Sequence, residues 1–326
     1  MKQYYVSVDS GGSKIKAVLT DGDFRLISEA HTGSIRSNST PPELCDRHLA
    51  DLMAQLFGGH DDIRDITAVR GCVDRRIVEA IAGRGSVGRV GRDGEGTVGL
   101  AAAGIRDSGL LCLSGTGATM FYIAPDGKTH GGMGGYGAVV FDEGSGYHIG
   151  RMAFSAAIRY DDGYGEETLL RDLIAEHFGL PHQFRRAIFD GVYGGEYGSP
   201  VAAVAGITPA VGEAVRRGDA VARRILRTAG ECLGVQMNAL IRRHAVPQSV
   251  PMTISGGTYR THLGLFESLC ETVRRENPDR PIVRPVFEPV IGGLLREWFE
   301  QGRPFDDAAR DFLGNEYRNF LFRLDD

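Results

Sequence analysis

The chain has 326 residues, of which 42% are hydrophobic and 24% are charged. These proportions are typical of a folded globular protein, and the length favours two domains over one. The formal net charge of −5, without a basic stripe, argues against a nucleic-acid-binding protein. No signal peptide or long apolar run is visible, so we expect a cytoplasmic protein with no membrane partner.

The five cysteines are scattered along the chain, odd in number and without a Cys-x-x-Cys pair. This pattern argues against structural disulfides and against a zinc cluster. We interpret the cysteines as small core residues of a protein in a reducing compartment.

In the first third of the chain, three strands are predicted at about 3–9, 14–20 and 24–31, joined by short turns as an antiparallel meander. Thr40-Pro-Pro-Glu43 then predicts a helix with Thr40 as N-cap, which ends at Gly58-Gly59. The predicted elements that follow are a strand, a helix, a strand and a helix, at about 66–73, 74–83, 87–91 and 97–103.

From Leu110 onward a strand, a turn and a second strand at 120–123 repeat the opening pattern. We expect helices at about 142–160, 163–182 and 219–243. A last strand, from about 247, ends at the glycine pair Gly256-Gly257.

Two of the predicted turns offer backbone N–H groups and hydroxyls to an anion, namely Asp9-Ser-Gly-Gly-Ser-Lys14 and Ser114-Gly-Thr-Gly117. Neither turn is a P-loop, since no Gly-Lys-Ser/Thr follows and no helix begins there. Neither has the spacing of a dinucleotide-binding fingerprint. Two such hairpins, about a hundred residues apart, indicate two related halves that close on one polyphosphate.

The segment 134–151 has glycines at six positions around an apolar run that ends in the carboxylate pair Asp142 and Glu143. Such glycine density is typical of tight turns or of backbone that approaches a ligand closely. A glycine-rich surface loop is the alternative. We favour a ligand site, because the apolar run leads directly into a predicted helix.

Five motifs in order resemble the N-acetylglucosamine kinase branch of the sugar kinase and actin-like ATPase superfamily, which includes ATPases of the BadF/BadG/BcrA/BcrD type. The two phosphate loops of that family are matched by Asp9–Lys14 and Ser114–Gly117. Its sugar loop is matched by Gly134-Gly-Tyr-Gly137 with Phe141-Asp-Glu-Gly-Ser145. Its adenosine motif is matched by Ile254-Ser-Gly-Gly-Thr258, and its closing element by Pro289-Val-Ile-Gly-Gly293.

The resemblance implies an α/β fold of two ribonuclease-H-like domains, the fold of actin-like ATPases, with a cleft between them. The first domain would comprise residues 1–107 and the chain from about 303 to 326. The second would comprise 108–302 with helical insertions. A homodimer is compatible with the resemblance.

The resemblance also implies that ATP and Mg²⁺ are the cofactors. The implied ATP-binding residues are Ser10, Gly11, Gly12, Ser13, Lys14, Ser114, Gly115, Thr116, Gly117, Gly256 and Gly257. Asp9 would hold the metal directly or through water, with an ordinary Asx turn as the alternative. Lys14 lies on the second predicted strand, where a solvated lysine is as good an interpretation as a phosphate contact.

Asp93 is the predicted general base, because it follows a strand and precedes a helix, where ligands gather in α/β sheets. In the family an asparagine precedes this aspartate, and here Arg92 stands in its place. The alternative interpretation is that Asp93 caps the following helix.

The residues implied to bind the sugar are Asn38, Asp93, Gly135, Tyr136, Gly137 and Asp142. Asn38 could equally be a turn residue, and Glu143 a salt-bridging helix residue. Tyr136 stands where the family has tryptophan, and Phe141 where a glycine precedes the aspartate. Phe141 would therefore line the sugar pocket or, alternatively, pack in the core of the second domain.

The function that the resemblance implies is an ATP-dependent kinase that phosphorylates a primary hydroxyl, O6, of an amino sugar such as N-acetylglucosamine or glucosamine. One alternative is an ATPase activator of a redox enzyme, which shares the fold but needs cluster-binding cysteines. The other is a non-enzymatic sugar sensor, which the two intact phosphate loops disfavour.

Overall fold

The computed structural model describes residues 2–12, 14–36, 40–106 and 108–324. The chain forms two compact units. The first unit comprises Met1–Ser108 and Arg284–Phe322, and the second comprises Gly109–Val283 with the C-terminal residues from Arg323. Residues 284–302 thus belong to the first unit, and not to the second as the resemblance implies.

The first unit contains a five-stranded sheet with the strand order β3-β2-β1-β4-β5. Its strands are β1 (Tyr4–Ser10), β2 (Lys14–Asp21), β3 (Leu26–Gly33), β4 (Asp65–Cys72) and β5 (Ser86–Arg92). The first three strands pair antiparallel, as the meander predicts, while β1 pairs parallel with β4 and β4 parallel with β5.

The helices of the first unit come from both of its chain segments. Those before residue 109 are α1 (Pro42–Phe57), α2 (Arg75–Ala82) and α3 (Glu95–Ala102). The predicted cap of α1 is wrong: Pro41 occupies the N-cap position, and no side chain caps the helix. The proline at the first helical position fits nonetheless, because its missing N–H has no helical partner there.

Two apolar clusters in the first unit hold the sheet. One packs α1 and α2 against it and includes Val6, Ile15, Leu52 and Ile77. The other includes Tyr5 and Phe24 together with residues of the C-terminal segment, among them Trp298. Since this second cluster is built largely by residues 287–320, the C-terminal segment is part of the first unit's core.

The second unit contains a four-stranded sheet with the strand order β8-β7-β6-β9. Its strands are β6 (Gly109–Ser114), β7 (Ala118–Ile123), β8 (Thr129–Gly134) and β9 (Met252–Ser255). The pattern repeats that of the first unit: β6 pairs antiparallel with β7 and parallel with β9.

Helices of the second unit lie mostly between β8 and β9. They are α4 (Gly146–Asp161), α5 (Leu170–His177), α6 (Phe184–Ile188), α7 (Pro200–Gly206), α8 (Thr208–Arg216), α9 (Ala220–Arg243) and, after β9, α10 (Leu263–Glu276). The expected helix over 163–182 is thus only partly formed, with its helical part at Leu170–His177. Asp219 caps α9 by accepting a hydrogen bond from the N–H of Ala222.

The first unit is completed by α11 (Pro289–Glu300) and α12 (Asp307–Glu316). Two successive glycines let α11 approach the sheet and α3. A Cβ on Gly292 would lie 2.1 Å from the carbonyl oxygen of Val98, and one on Gly293 would lie 2.2 Å from Oγ of Ser7. Oγ of Ser7 donates a hydrogen bond of 2.5 Å to the carbonyl of Val290.

We predict that Gly292→Ala destabilises the protein by about 1–3 kcal/mol, because the added methyl group overlaps a backbone oxygen that side-chain rotation cannot move. The matched control is Gly314→Ala in α12, where a Cβ meets nothing within 4 Å. The free energy of unfolding of that control should rise by roughly 0.5–1 kcal/mol, because alanine loses less backbone freedom on folding than glycine does. Chemical denaturation of both variants checks this, and equal effects would contradict the close packing of α11.

Candidate functional site

Three residues with reactive or metal-binding side chains lie at the carboxyl ends of strands in the first unit, at one edge of its sheet. In the parallel pairs, Asp9 lies opposite Cys72, and Gly71 lies opposite Arg92. The backbone N–H of Asp93 donates a hydrogen bond of 3.1 Å to the carbonyl of Gly71. Asp9, Cys72 and Asp93 are therefore neighbours at the carboxyl edge, where ligands bind in α/β sheets.

The turn after β1 is tight and held by hydrogen bonds. The N–H of Gly11 donates to the carbonyl of Lys14 at 2.9 Å. Oγ of Ser34 donates to the carbonyl of Gly11 at 3.1 Å, and the guanidinium of Arg36 donates to the carbonyl of Ser10 at 3.2 Å. A phosphate contact by Ser10, Gly11, Gly12 or Lys14 remains a prediction, and Ser13 lies outside the described residues.

The surroundings of Asp9 disfavour the ionised form of its carboxyl group. Burial, followed by the nearby charge of Glu95, raises the pKa of Asp9 from its ordinary value to about 6, although Lys14 acts in the opposite direction. Within the described part of the chain, the Asp9 side chain forms no salt bridge. A divalent cation would relieve both causes of the shift, so the residues present fit the predicted metal role.

The predicted base, Asp93, is held by an arginine. Nε of Arg70 donates to Oδ2 of Asp93, and NH2 of Arg70 donates to Oδ1, both at 3.1 Å. The N–H of Gly71 also reaches Oδ2, at 3.3 Å. The alternative of helix capping is wrong, because Gly94 is the N-cap of α3 and no side chain caps it.

Cys72 is not poised to act as a thiolate. Burial, and then the charge of Asp9, raises the pKa of its thiol well above the ordinary range. A thiol ligand must be deprotonated to bind a metal or an iron–sulfur cluster. In the described part of the chain, no group of three or more His, Cys, Asp or Glu side chains could hold a metal ion.

In the second unit, the loops that match the second phosphate, sugar and adenosine motifs are joined by hydrogen bonds. The carbonyl of Gly115 accepts from the N–H of Gly146 at 2.8 Å and from Oγ1 of Thr258 at 3.0 Å. Oγ of Ser114 donates to the carbonyl of Gly144 at 2.9 Å. The second turn, the loop before α4 and the turn after β9 thus form one connected structure.

Asp142 belongs to the loop before α4, and its side chain lies against the second turn. Its side chain is 3% exposed, and a Cβ placed on Gly117 would lie 2.5 Å from Oδ2 of Asp142. Oδ1 of Asp142 is buried and accepts no hydrogen bond within the described part of the chain. A buried carboxylate oxygen without a donor is costly, so this oxygen is ready to accept a hydrogen bond from a ligand.

The glycines of this loop give it its path. Gly134, Gly135 and Gly137 all have positive φ angles, and the N–H of Gly135 donates to the carbonyl of Ala118 at 2.7 Å. Ser145 then caps α4 by accepting from the N–H of His148 at 3.1 Å. The helix therefore begins at Gly146, four residues later than expected.

Two aromatic rings project from the same loop. Tyr136 is 68% exposed and Phe141 is 40% exposed, and their rings meet edge to face with centroids 6.2 Å apart. The alternative that Phe141 packs in the core is therefore wrong, and its role in the sugar pocket stays a prediction. Val139 and Val140 are exposed beside them, so the loop presents an apolar surface to solvent.

Of the remaining predicted residues, some lie in turns that the structure describes and one does not. Gly256 and Gly257 directly follow β9, and a Cβ on Gly256 would lie 2.0 Å from the carbonyl oxygen of Ser114. Thr116 lies in the second turn, where its carbonyl accepts from the N–H of Tyr147 at 3.4 Å. Asn38 lies outside the described residues. The motifs did not identify Arg70, which contacts Asp93, or Glu95, whose charge acts on Asp9.

Each unit has a three-stranded meander followed by a parallel crossover strand, which is the fold of the actin-like ATPases and sugar kinases. The profile of the BadF/BadG/BcrA/BcrD ATPase family matches residues 6–296, and the chain belongs to this family.

Similar proteins are known in sequence and in structure. The N-acetylmuramic acid/N-acetylglucosamine kinase of Clostridium acetobutylicum is 25% identical over 305 residues, which cover 90% of this chain and 97% of that protein. A structure described as an N-acetylglucosamine kinase of Porphyromonas gingivalis has a TM-score of 0.66, is 17% identical, and is matched over 91% of this chain and 99% of its own. A ROK family glucokinase of Streptomyces griseus, with glucose and AMPPNP, has a TM-score of 0.56 at 18% identity and is matched over 90% of this chain and 97% of its own.

The described residues contain no helix whose length and apolar character would allow it to cross a membrane.

We predict that Asp9→Asn raises the melting temperature, and that the gain is larger at pH 8 than at pH 5. Between the ordinary carboxyl pKa and about 6, the native state retains a proton that the unfolded chain loses, so ionisation increasingly destabilises the wild type. Above pH 6 to 7, the destabilisation of the wild type by the ionised Asp9 no longer changes with pH. Melting curves of the wild type and the variant from pH 5 to 8 measure this.

The control for this series is Asp23→Asn, which alters an exposed carboxylate of the same unit. Its melting temperature should follow that of the wild type at every pH. A gain for Asp9→Asn that shrinks between pH 5 and pH 8 would show that the pKa of Asp9 is not raised in the folded protein.

Proposed function

We propose that this protein is an ATP-dependent kinase that transfers the γ-phosphoryl group to a primary hydroxyl, O6, of an amino sugar such as N-acetylglucosamine or glucosamine. The observation that carries the proposal is the position of Asp142 against Gly117. Oδ2 of this buried carboxylate lies beside a glycine turn of the phosphate-binding type, and Oδ1 has no donor among the described residues. Such a pair suits a ligand hydroxyl next to a phosphate.

The names of similar proteins support the same class of reaction. The relative from Clostridium acetobutylicum, matched over nearly its whole length, is named as an amino-sugar kinase. A shorter match, 24% identical over 189 residues, is the N-acetyl-D-glucosamine kinase of Dictyostelium discoideum. Membership of an ATPase family supports the use of ATP.

The proposed roles in the nucleotide site follow from the turns. Backbone N–H groups and hydroxyls of Ser10–Lys14 and Ser114–Gly117 would bind phosphate oxygens, and Gly256-Gly257 would approach the adenosine. Asp9 would hold Mg²⁺, which neutralises charge on the transferred phosphoryl group when it is bound. Lys14, whose charge favours the ionised form of Asp9, would remain close to Asp9 and to the phosphate oxygens.

In the proposed reaction the sugar hydroxyl oxygen attacks the γ-phosphorus, and its proton passes to a carboxylate oxygen of Asp93. The bond from the γ-phosphorus to the bridging oxygen breaks, and ADP leaves. Asp142 would accept hydrogen bonds from sugar hydroxyls, since an ionised carboxylate only accepts. Asn38 and the backbone at Gly135 and Gly137 would complete the sugar contacts.

The purified protein with Mg²⁺·ATP, assayed for ADP release across hexoses and amino sugars, tests the proposal. We expect release to depend on an amino sugar, and NMR of the product to show phosphate at O6. Asp93→Asn should bind both substrates yet lower kcat by about 10²–10⁴-fold, the usual cost of losing a general base. A normal kcat in this variant would place the base elsewhere.

Other outcomes of the same assay overturn the proposal. ATP hydrolysis that is equal with and without every sugar would favour an activator of a redox enzyme. An absorbance spectrum of anaerobically purified protein would then show an iron–sulfur cluster. Sugar binding without any turnover would favour a sensor.

We predict that Phe141→Ala changes the sugar preference without unfolding the protein. The ring is exposed and contacts Tyr136, so its loss enlarges the site more than it damages a core. Relative kcat/KM for larger against smaller amino sugars should shift by roughly 10–200-fold, the range by which an apolar pocket discriminates substrates that differ by about one methylene group. Substrate profiles and melting temperatures, measured together, check this.

The matched control is Phe189→Ala, which removes an exposed aromatic ring far along the chain from the sugar loop. This variant should keep the wild-type order of sugar preference. A loss of stability in Phe141→Ala with an unchanged preference order would remove Phe141 from the specificity site.

A further inference from the structure

The carboxylate of Asp93 has little freedom to turn. Both of its oxygens lie in the fork of the Arg70 guanidinium, and its side chain is only 11% exposed. Planar fork-to-carboxylate pairing fixes orientation as well as position, which a single-point ion pair does not do. Arg70 lies on β4, the strand next to the one that Asp93 follows.

Arg70 is itself held from the opposite side. NH1 of Arg70 donates to Oε2 of Glu300 at 2.7 Å, and NH2 donates to Oε1 of Glu300 at 2.9 Å. Oε2 of Glu297 lies 3.8 Å from NH1. A guanidinium with carboxylates on two sides has one favourable position, and that position fixes Asp93.

The sheet leaves room for this guanidinium at one residue. In the β4–β5 register, Arg70 lies opposite Gly91. A Cβ on Gly91 would lie 2.4 Å from Nε, 2.6 Å from Cδ and 2.7 Å from Cζ of Arg70. The glycine therefore supplies the space in which the fork lies beside β5 and reaches Asp93.

The charges in this cluster are balanced. Arg70, Arg89 and Arg296 face Asp93, Glu297 and Glu300 in a network of ion pairs. Arg89 pairs with Glu297 and Glu300, and it forms no ion pair with Asp93 among the described residues. Arg70 is thus the arginine that holds Asp93 in a fork, Nε of Arg296 lies 3.8 Å from Oδ1 of Asp93, and Arg89 pairs, in the part of the chain that is described, only with the two glutamates.

We infer that Arg70 is a positioning residue for phosphoryl transfer, which holds the Asp93 carboxylate in the orientation needed to receive the hydroxyl proton. This inference rests on the proposed function. Arg70 touches neither substrate in the proposal and acts through Asp93. Small misplacements of a catalytic group cost up to about 10²-fold in rate, so we expect the loss of the Arg70 fork to lower kcat.

Arg70→Lys tests the inference because it keeps the positive charge and removes the fork. We expect kcat with N-acetylglucosamine to fall by about 10–10²-fold, while KM for the sugar and for ATP changes less than about threefold. Arg89→Lys is the matched control, since it removes a fork from the same cluster without touching Asp93. The control should keep the wild-type kcat.

A double-mutant cycle with Asp93→Asn separates positioning from a general effect on structure. If Arg70 acts through Asp93, Arg70→Lys should change kcat less than about threefold in the Asp93→Asn background. Equal losses in both backgrounds, or equal losses for Arg70→Lys and Arg89→Lys, would overturn the inference. A wild-type kcat in Asp93→Asn would overturn it too.

Gly91→Ala provides the second variant if Arg70→Lys does not fold. It retains Arg70 and crowds the fork, so the same loss of kcat at nearly constant KM is expected, and a wild-type kcat would overturn the inference. Failure of the proposed function is distinguishable from failure of the inference. A wild type that phosphorylates no amino sugar would overturn both the proposed function and the inference. An active wild type in which the effects of Arg70→Lys and Asp93→Asn on kcat are additive would overturn only the role of Arg70.

Discussion

In each unit the backbone of the first strand must touch the backbone of the parallel crossover strand beside it. A Cβ on Gly71 would lie 2.2 Å from the carbonyl oxygen of Val8, and one on Gly256 would lie 2.0 Å from that of Ser114. The two glycines have similar φ angles, +105° and +109°, which side chains disfavour. This close approach brings the turn after the first strand beside the loop after the crossover strand, and both groups of candidate site residues depend on it.

The local signals in the sequence predicted most of this arrangement. Alternating apolar residues and glycine turns located β1, β2, β6 and β7, and the glycines between paired strands marked the turns proposed for phosphates. These features depend on neighbouring residues, since a hairpin register follows from its own turn. The motif order then gave the fold, because each motif occupies a fixed place at the end of a strand.

Features that depend on distant residues could not be predicted in the same way. Arg70 and Asp93 are 23 positions apart and meet only through the parallel register of β4 and β5. The assignment of α11 to the first unit depends on the helix packing against β1, including the hydrogen bond from Ser7 to Val290. The exposure of Phe141 depends on the backbone path through glycines with positive φ. None of these has a local signal in the sequence.

Asp9 and Asp93 lie at one sheet edge, yet their surroundings prepare them for different tasks. Asp9 is partly buried near Glu95, forms no salt bridge in the described chain, and has a raised pKa. Asp93 is neutralised by a fork that also fixes its orientation. A carboxylate whose ionised form is disfavoured gains most from a divalent cation, whereas a carboxylate held in a guanidinium fork keeps one orientation toward an incoming hydroxyl. The proposed division into metal ligand and base follows from the counter-charge that each aspartate has been given.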